Sequence, residues 1–198
     1  GPLPFLISMH ALIMSEVLVE PVSTRRQRKQ FFDLPWTIYQ DDPMWIPPLR
    51  MSQKELLGFR RHPIHDFITM QHFLAVRDGE PVGRITAIDN PKHFQWHREK
   101  LGFFGFFESI DDEEVAHGLF DAARRWLQGR GLDWIRGPIN PSLNYELGLL
   151  VDGWHRPPTF MMTYNPRYYE RLVDSYGFSK SQDLVAFAAH TDIIAKLD

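Results

Sequence analysis

The sequence predicts one α/β domain, a mixed sheet with helices on both faces, and three observations carry that prediction. First, the phenylalanine-rich run Gly102–Ile110 turns into an amphipathic helix within Asp111–Gly131, and a new apolar run, Leu132–Ile139, follows almost at once. A strand, a helix and a strand in close succession make a parallel crossover. Second, Asp78-Gly79 separates two apolar runs, the strongest short-range hairpin signal. Third, strands come before the crossover and a helix and strand come after it, so the order reads as one layered domain rather than two.

Taken in order, Glu16–Val22 alternates as a first strand. Ser23 or Thr24 is placed to cap a helix whose apolar face is Phe31, Phe32, Leu34 and Ile38. Pro35 is expected to kink that helix or divide it in two. The basic run Arg25–Lys29 reads as its solvated side, with a phosphate or membrane patch as the alternative. A proline-punctuated loop (41–50) precedes a short helix at 52–59, and the hairpin strands are Phe73–Val76 and Pro81–Ile88. Residues 91–100 form a polar connection with a helical turn. Phe103, Phe104, Phe106 and Phe107 mark a strand packed on both faces. In the crossover helix Val115, Leu119, Ala123 and Leu127 recur every four residues, Asp111 and Glu114 have capping-box spacing, and Gly129 and Gly131 end the helix. A last helix lies within 166–177, and Phe178–Ala189 holds a last strand.

The chain has 198 residues, 43% apolar and 24% charged, with a formal net charge of −3. That is an ordinary globular composition, and it offers nucleic acid no overall attraction. There is no cysteine, which excludes disulfides, thiolate catalysis and Cys-type zinc sites. Residues 1–14 are apolar without a basic start and are too short for a bilayer span, so they are expected to be a tag or disordered extension, with the domain at 15–198 and a cytoplasmic location as the default. His93 and His97 have helical spacing and His62 and His65 are close in sequence, but no third ligand accompanies either pair, so no metal is expected.

The runs FFDLPWTIYQDDPMWIPPL, FLAVRDGEPVGRITA, GFFGFFE, IRGPINPSLNYELGLLVDG and YNPRYYERLVDSYGFSKSQDLVAF, which cover most of 16–188, resemble the N-terminal part of a bacterial group of GNAT-like proteins. GNAT is the superfamily of acyl-CoA-dependent N-acyltransferases. The group includes proteins implicated in N-acylating long-chain amino-alcohol bases towards bacterial ceramides, and its members are usually longer. The resemblance implies a GNAT-like mixed sheet lacking the last strand here. It implies acyl-CoA as co-substrate and a small-molecule or lipid-like amine as acceptor. It leaves room for peripheral membrane contact and for a dimer or a second GNAT-like half. In ordinary GNATs the turn into the crossover helix is Gly-rich with an Arg or Gln and holds the CoA pyrophosphate. Here it reads SIDDEEVA, with neither. Two unit charges about 6 Å apart interact by roughly 2–3 kcal/mol at an effective dielectric of ~20, more than the roughly 0.3–1 kcal/mol a helix N-terminus offers an anion. The four acids Asp111, Asp112, Glu113 and Glu114 are therefore expected to cap the helix and turn a pyrophosphate away.

In the GNAT arrangement the two parallel strands splay, and the thioester lies in the gap. Glu108, ending the phenylalanine-rich strand, is the candidate base for the incoming amine. A carboxylate among aromatics has a raised pKa, and the alternative is a carboxylate facing solvent or paired with Arg84 or Arg136. The loop after the second strand offers Asn140, Ser142 and Asn144 to the donor, and Asn165 belongs with them; Glu146 and Tyr168 are the candidates for the acceptor. The GNAT tyrosine that protonates the leaving thiolate falls at Val173 by counting back from Gly177, so Tyr169, one turn earlier, is assigned as the acid. Two readings result: an acyltransferase, or a non-catalytic GNAT-like module that binds a ligand or docks onto a second domain.

Overall fold

The computed structural model describes residues 15–187. The expected extension at 1–14 and the end of the expected last strand lie outside the described residues. A five-stranded sheet runs in the order β1-β2-β3-β4-β5, with β1 Leu18–Pro21, β2 Thr69–Arg77, β3 Glu80–Asp89, β4 Leu101–Ser109 and β5 Trp134–Arg136. Neighbours up to β4 are antiparallel and β4 with β5 is parallel, so the sheet is mixed as the sequence predicts. The helices are α1 Arg25–Ile38, α2 Arg50–Leu56, α3 Pro91–His97, α4 Glu113–Gln128 and α5 Tyr169–Tyr176. A small hairpin, β6 Ile139–Asn140 with β7 Glu146–Leu147, lies beside β4.

The β2–β3 turn places Asp78 at φ 54° and Gly79 at φ 81°, the two left-handed positions an Asp-Gly hairpin needs. On one face of the sheet α4 and α5 bury Phe73, Ala75, Ile85, Ala87, Phe104 and Phe107 under Leu119, Phe120 and Leu172. On the other, α1 presses Phe31 and Phe32 against Leu74 and Phe106, while Ile88, Leu101 and Phe103 form a separate cluster with Ile139. Burying such side chains contributes about 1.5–3 kcal/mol each, which is why both helix layers stay docked.

Of the two capping candidates, Thr24 caps α1, in a capping box with Gln27. Other details depart from the sequence reading. Pro35 does not divide α1, which runs unbroken through it. The cap of α4 is Asp112, whose carboxylate accepts the N–H groups of Glu114 and Val115, so Asp111 is not the capping-box residue. Leu132–Ile139 is not one strand: β5 keeps only three residues, because Gly137-Pro138 interrupts the ladder before Ile139 joins β6. No strand occurs at 178–187, so the described part of the expected last strand does not form one. The basic run Arg25–Lys29 is on the solvent side of α1, as its bland reading had it. Among the described residues no helix is long and apolar enough to cross a membrane.

Candidate active site

β4 and β5 are zipped for three pairs only, Leu101–Trp134, Gly102–Ile135 and Phe103–Arg136. Past Phe103 the β5 side of β4 has no strand partner. The expected opening is therefore present, but it is not empty. The Gly137–Asn140 segment fills its middle so tightly that a β-carbon on Gly105 would stand 1.6 Å from the Ile139 carbonyl oxygen.

Side chains close the freed edge where a strand would have. The Phe106 N–H donates to the Asn140 amide oxygen at 2.7 Å. The Ser109 N–H donates to the Tyr169 hydroxyl at 2.9 Å, and the Tyr168 hydroxyl donates to the Ser109 carbonyl at 2.7 Å. A buried backbone group left unpaired costs about 1–3 kcal/mol, so these three side chains are part of the sheet's stability.

A bulge decides which way Glu108 points. The β3–β4 register slips between Arg84 and Thr86, and Phe106 takes φ 49°. Strict alternation would put Phe104, Phe106 and Glu108 on one face. The extra residue instead sends Phe106 to the α1 side while Phe104 and Phe107 both pack towards α4. Glu108 is thereby turned towards α1.

There it meets a buried polar cluster. The hydroxyls of Tyr169 and Tyr39 both donate to Glu108 Oε2, at 2.7 and 3.0 Å. Arg84 Nη2 stands 3.6 Å from Glu108 Oε1. Arg84 is held in turn by Pro35. A proline has no N–H, so the carbonyl four residues earlier, that of Phe31, loses its helical donor; Arg84 Nη1 supplies one at 2.8 Å. Burial holds the Glu108 carboxyl above the usual carboxylate range, against the lowering effect of Arg84 and the two tyrosine hydroxyls. Burial, and then the charge of Glu108, pushes the Tyr39 and Tyr169 phenols well above their ordinary value, so both stay protonated and serve as donors. Of the alternatives left open for Glu108, the Arg84 pair is the one present, and it coexists with the raised pKa.

The remaining candidates divide. Asn140 and Glu146 face each other across the β6–β7 pair and belong to this site. Burial raises the Glu146 carboxyl, opposed by a hydrogen bond from Asn140. Tyr168 contributes its hydroxyl to the β4 edge rather than a free binding group. Asn165 is buried and satisfied by the Leu150 N–H at 2.7 Å and the Pro166 carbonyl at 2.9 Å, so it anchors a loop. Ser142 and Asn144 line a hollow beside Phe103, at the other end of β4 from Glu108. Tyr39 was missed; it sits at the C-terminal end of α1, and the spacing from the buried Phe31 and Phe32 would have put it on the buried face. Of the four acids at the start of α4, Asp112 caps it and all four are ion-paired. Arg77 binds Asp112 at 2.7 Å and Glu114 at 2.9 Å, and Arg171 binds Glu113 at 2.6 Å and also Asp111. With its first N–H groups already taken by a carboxylate, the α4 N-terminus does not fit a pyrophosphate. No group of three metal-ligating side chains occurs among the described residues.

No protein-family model matches the chain. Protein YghO of Escherichia coli (strain K12) is 35% identical over 181 residues, covering 91% of this chain and 46% of its own length. A bacterial ceramide synthase of Caulobacter vibrioides (strain NA1000 / CB15N) is 39% identical over 176 residues, covering 88% of this chain and 46% of its own. The chain thus spans about half the length of the relatives it matches. Among solved structures, an aminoglycoside acetyltransferase from an uncultured soil metagenomic sample, in complex with sisomicin, superposes with a TM-score of 0.53 at 10% identity over 88% of this chain and 95% of that one. AAC(6')-Iy, in complex with the bisubstrate analog CoA-S-monomethyl-acetylneamine, gives 0.50 at 11% identity over 89% and 99%. The chain carries the GNAT acetyltransferase fold and is similar in sequence to a bacterial ceramide synthase.

Proposed function

We propose that this chain is an N-acyltransferase domain that passes an acyl group from an acyl thioester such as acyl-CoA to an amine, and that the amine is lipid-like, as the similarity to a ceramide synthase supports. The observation that carries the reading is Glu108, a carboxylate with a raised pKa near the end of β4, beyond its pairing with β5, held by two tyrosine hydroxyls and one arginine.

The chemistry follows from these groups. The amine nitrogen attacks the thioester carbonyl and forms the new C–N bond. Its proton passes to Glu108, whose pKa lies nearer neutrality than that of an ordinary carboxylate. The carbonyl oxygen, negative in the tetrahedral intermediate, takes the Phe106 N–H in place of the Asn140 amide oxygen. The C–S bond then breaks. A thiol has an ordinary pKa of about 8.5, so its anion leaves without strong acid assistance. Tyr169 accordingly acts as the group that holds Glu108 and the end of β4, rather than as the proton donor to sulfur. Glu146, beside Asn140, offers carboxyl oxygens that can accept hydrogen bonds from the arriving neutral amine.

A second reading, a non-catalytic GNAT-like module, is favoured by the carboxylate that fills the α4 N-terminus and by the Asn140 amide on the Phe106 N–H. The two separate in one assay. The chain is incubated with short- and long-chain acyl-CoA and with candidate amines, including a long-chain amino alcohol, while free thiol is followed. Amine-dependent thiol release that Glu108→Gln abolishes supports transfer; no release with any pair supports the module.

A further inference from the structure

The larger of the two surface hollows described, about 230 Å³, lies between α3 and the β6–β7 hairpin, away from Glu108. Its floor is Phe103 and Ile139, and Trp96 and Leu143 form its rim. Its polar lining is made of hydrogen-bond donors: Lys92, His93, His97, Ser142 and Asn144, with Asn90, and no carboxylate. That is unusual for this chain, in which acids outnumber Lys and Arg by 25 to 22.

Of the side chains around the hollow, Lys92 and His97 make no hydrogen bond or ion pair among the described residues, whereas His93 is held by Glu99. Lys92 forms no ion pair among the described residues; its ammonium rests on the Phe67 ring, 3.3 Å from the centroid. His97 stacks on His93, ring centres 4.5 Å apart, and has no hydrogen-bond partner among the described residues. The nearby acid is Glu99, and it is turned onto His93 Nε2 at 3.1 Å. Trp96 is 82% exposed, leaving its ring face free at the rim.

A concave site with an ammonium, imidazoles and an amide, an apolar floor and an indole at the mouth suits an anion attached to a small apolar or planar body. We propose that this hollow is an anion-binding subsite for a phosphate-bearing small molecule. Its volume is below that of a drug-sized pocket, so it takes the phosphate and a few neighbouring atoms rather than a whole cofactor. The phosphate can belong to a CoA-type donor, which the α4 N-terminus does not accept, or to a phosphorylated amine.

Titration calorimetry at fixed ionic strength tests this by binding alone, so its outcome is separate from whether acyl transfer occurs. The probes are inorganic phosphate, O-phosphoethanolamine and CoA. All three are expected to bind the full chain, and Lys92→Glu and Trp96→Ala are each expected to weaken binding at least tenfold, with unchanged circular dichroism and melting. Tighter binding of CoA than of phosphate assigns the site to the donor; tighter binding of O-phosphoethanolamine assigns it to the acceptor. The proposal is overturned if no phosphate-bearing probe binds up to about 10 mM, or if binding survives Lys92→Glu undiminished.

Discussion

The Phe31 carbonyl accepts Arg84 Nη1 at 2.8 Å because Pro35, one helical turn on, has no N–H to give it. A residue expected to break a helix thus fixes the cation that faces the candidate base. Arg84→Met leaves Glu108 buried without that cation and is expected to cost about 3–5 kcal/mol. Arg84→Met combined with Glu108→Leu is expected to recover most of it. Urea unfolding of both variants measures the difference; a double variant no more stable than the single one would show that the pair does not govern the cost.

Tyr39→Phe and Tyr169→Phe each remove a donor that lowers the Glu108 pKa. The sign follows directly: the pKa rises further, and the acidic limb of the pH–rate profile moves to higher pH in each variant. Tyr169→Phe also orphans the Ser109 N–H, adding about 1–3 kcal/mol of lost stability. Glu108→Gln should lower turnover about 10²–10⁴-fold; it also leaves Arg84 buried without its anion, so turnover is read at a temperature where circular dichroism shows the variant folded.

Asn140→Ala frees the Phe106 N–H. Stability is expected to fall by about 1–3 kcal/mol, while affinity for an acyl thioester rises, because the ligand carbonyl no longer displaces an amide. Thermal melting with and without an unreactive thioether analogue of acyl-CoA reads both effects. A variant that is destabilised yet binds the analogue no better would place the carbonyl elsewhere.

His72 tests the α1 side of the sheet. Its Nε2–H donates to the Leu57 carbonyl at 2.9 Å, Nδ1 accepts from Thr86 at 2.8 Å, and burial, reinforced by the charge of Arg84, lowers its pKa from 6.5 to about 4. A histidine kept neutral by folding takes up its proton more readily when unfolded. Its stabilisation is therefore complete above pH 6.5 and drains away as pH falls towards 4, by about 3 kcal/mol in all. Denaturant melts across that range should show the loss, and His72→Gln should flatten it.

Much of this architecture can be read from the chain. The helix of α4, the Asp-Gly hairpin and the two-sided burial of β4 each have a local cause that survives into the fold. The bulge does not. Phe103, Phe104, Phe106 and Phe107 are chemically identical, so no alternation reveals that the phase slips between them, and with it the face of Glu108 stays hidden. The α4 cap was misplaced by one residue because four acids in a row all have capping chemistry. Glu108 was legible as a carboxylate among aromatics. Arg84 was among the partners named for it and Tyr169 was placed in the same site, but Tyr39 was not, since it lies 69 positions away and only the tertiary fold brings it to Glu108. Ser142 and Asn144 were grouped with Asn140 by proximity in sequence, yet the β6–β7 turn carries them to the opposite end of β4.

The far half of β4 is sealed one bond at a time, by groups drawn from separate stretches of chain. A neighbouring strand would have to peel away as a unit before anything could lie against that rim. Individual amide and phenol contacts can be exchanged singly, so an extended guest can be admitted step by step while the rest of the seam holds. In this chain, access to the interior is a matter of substitution rather than of opening.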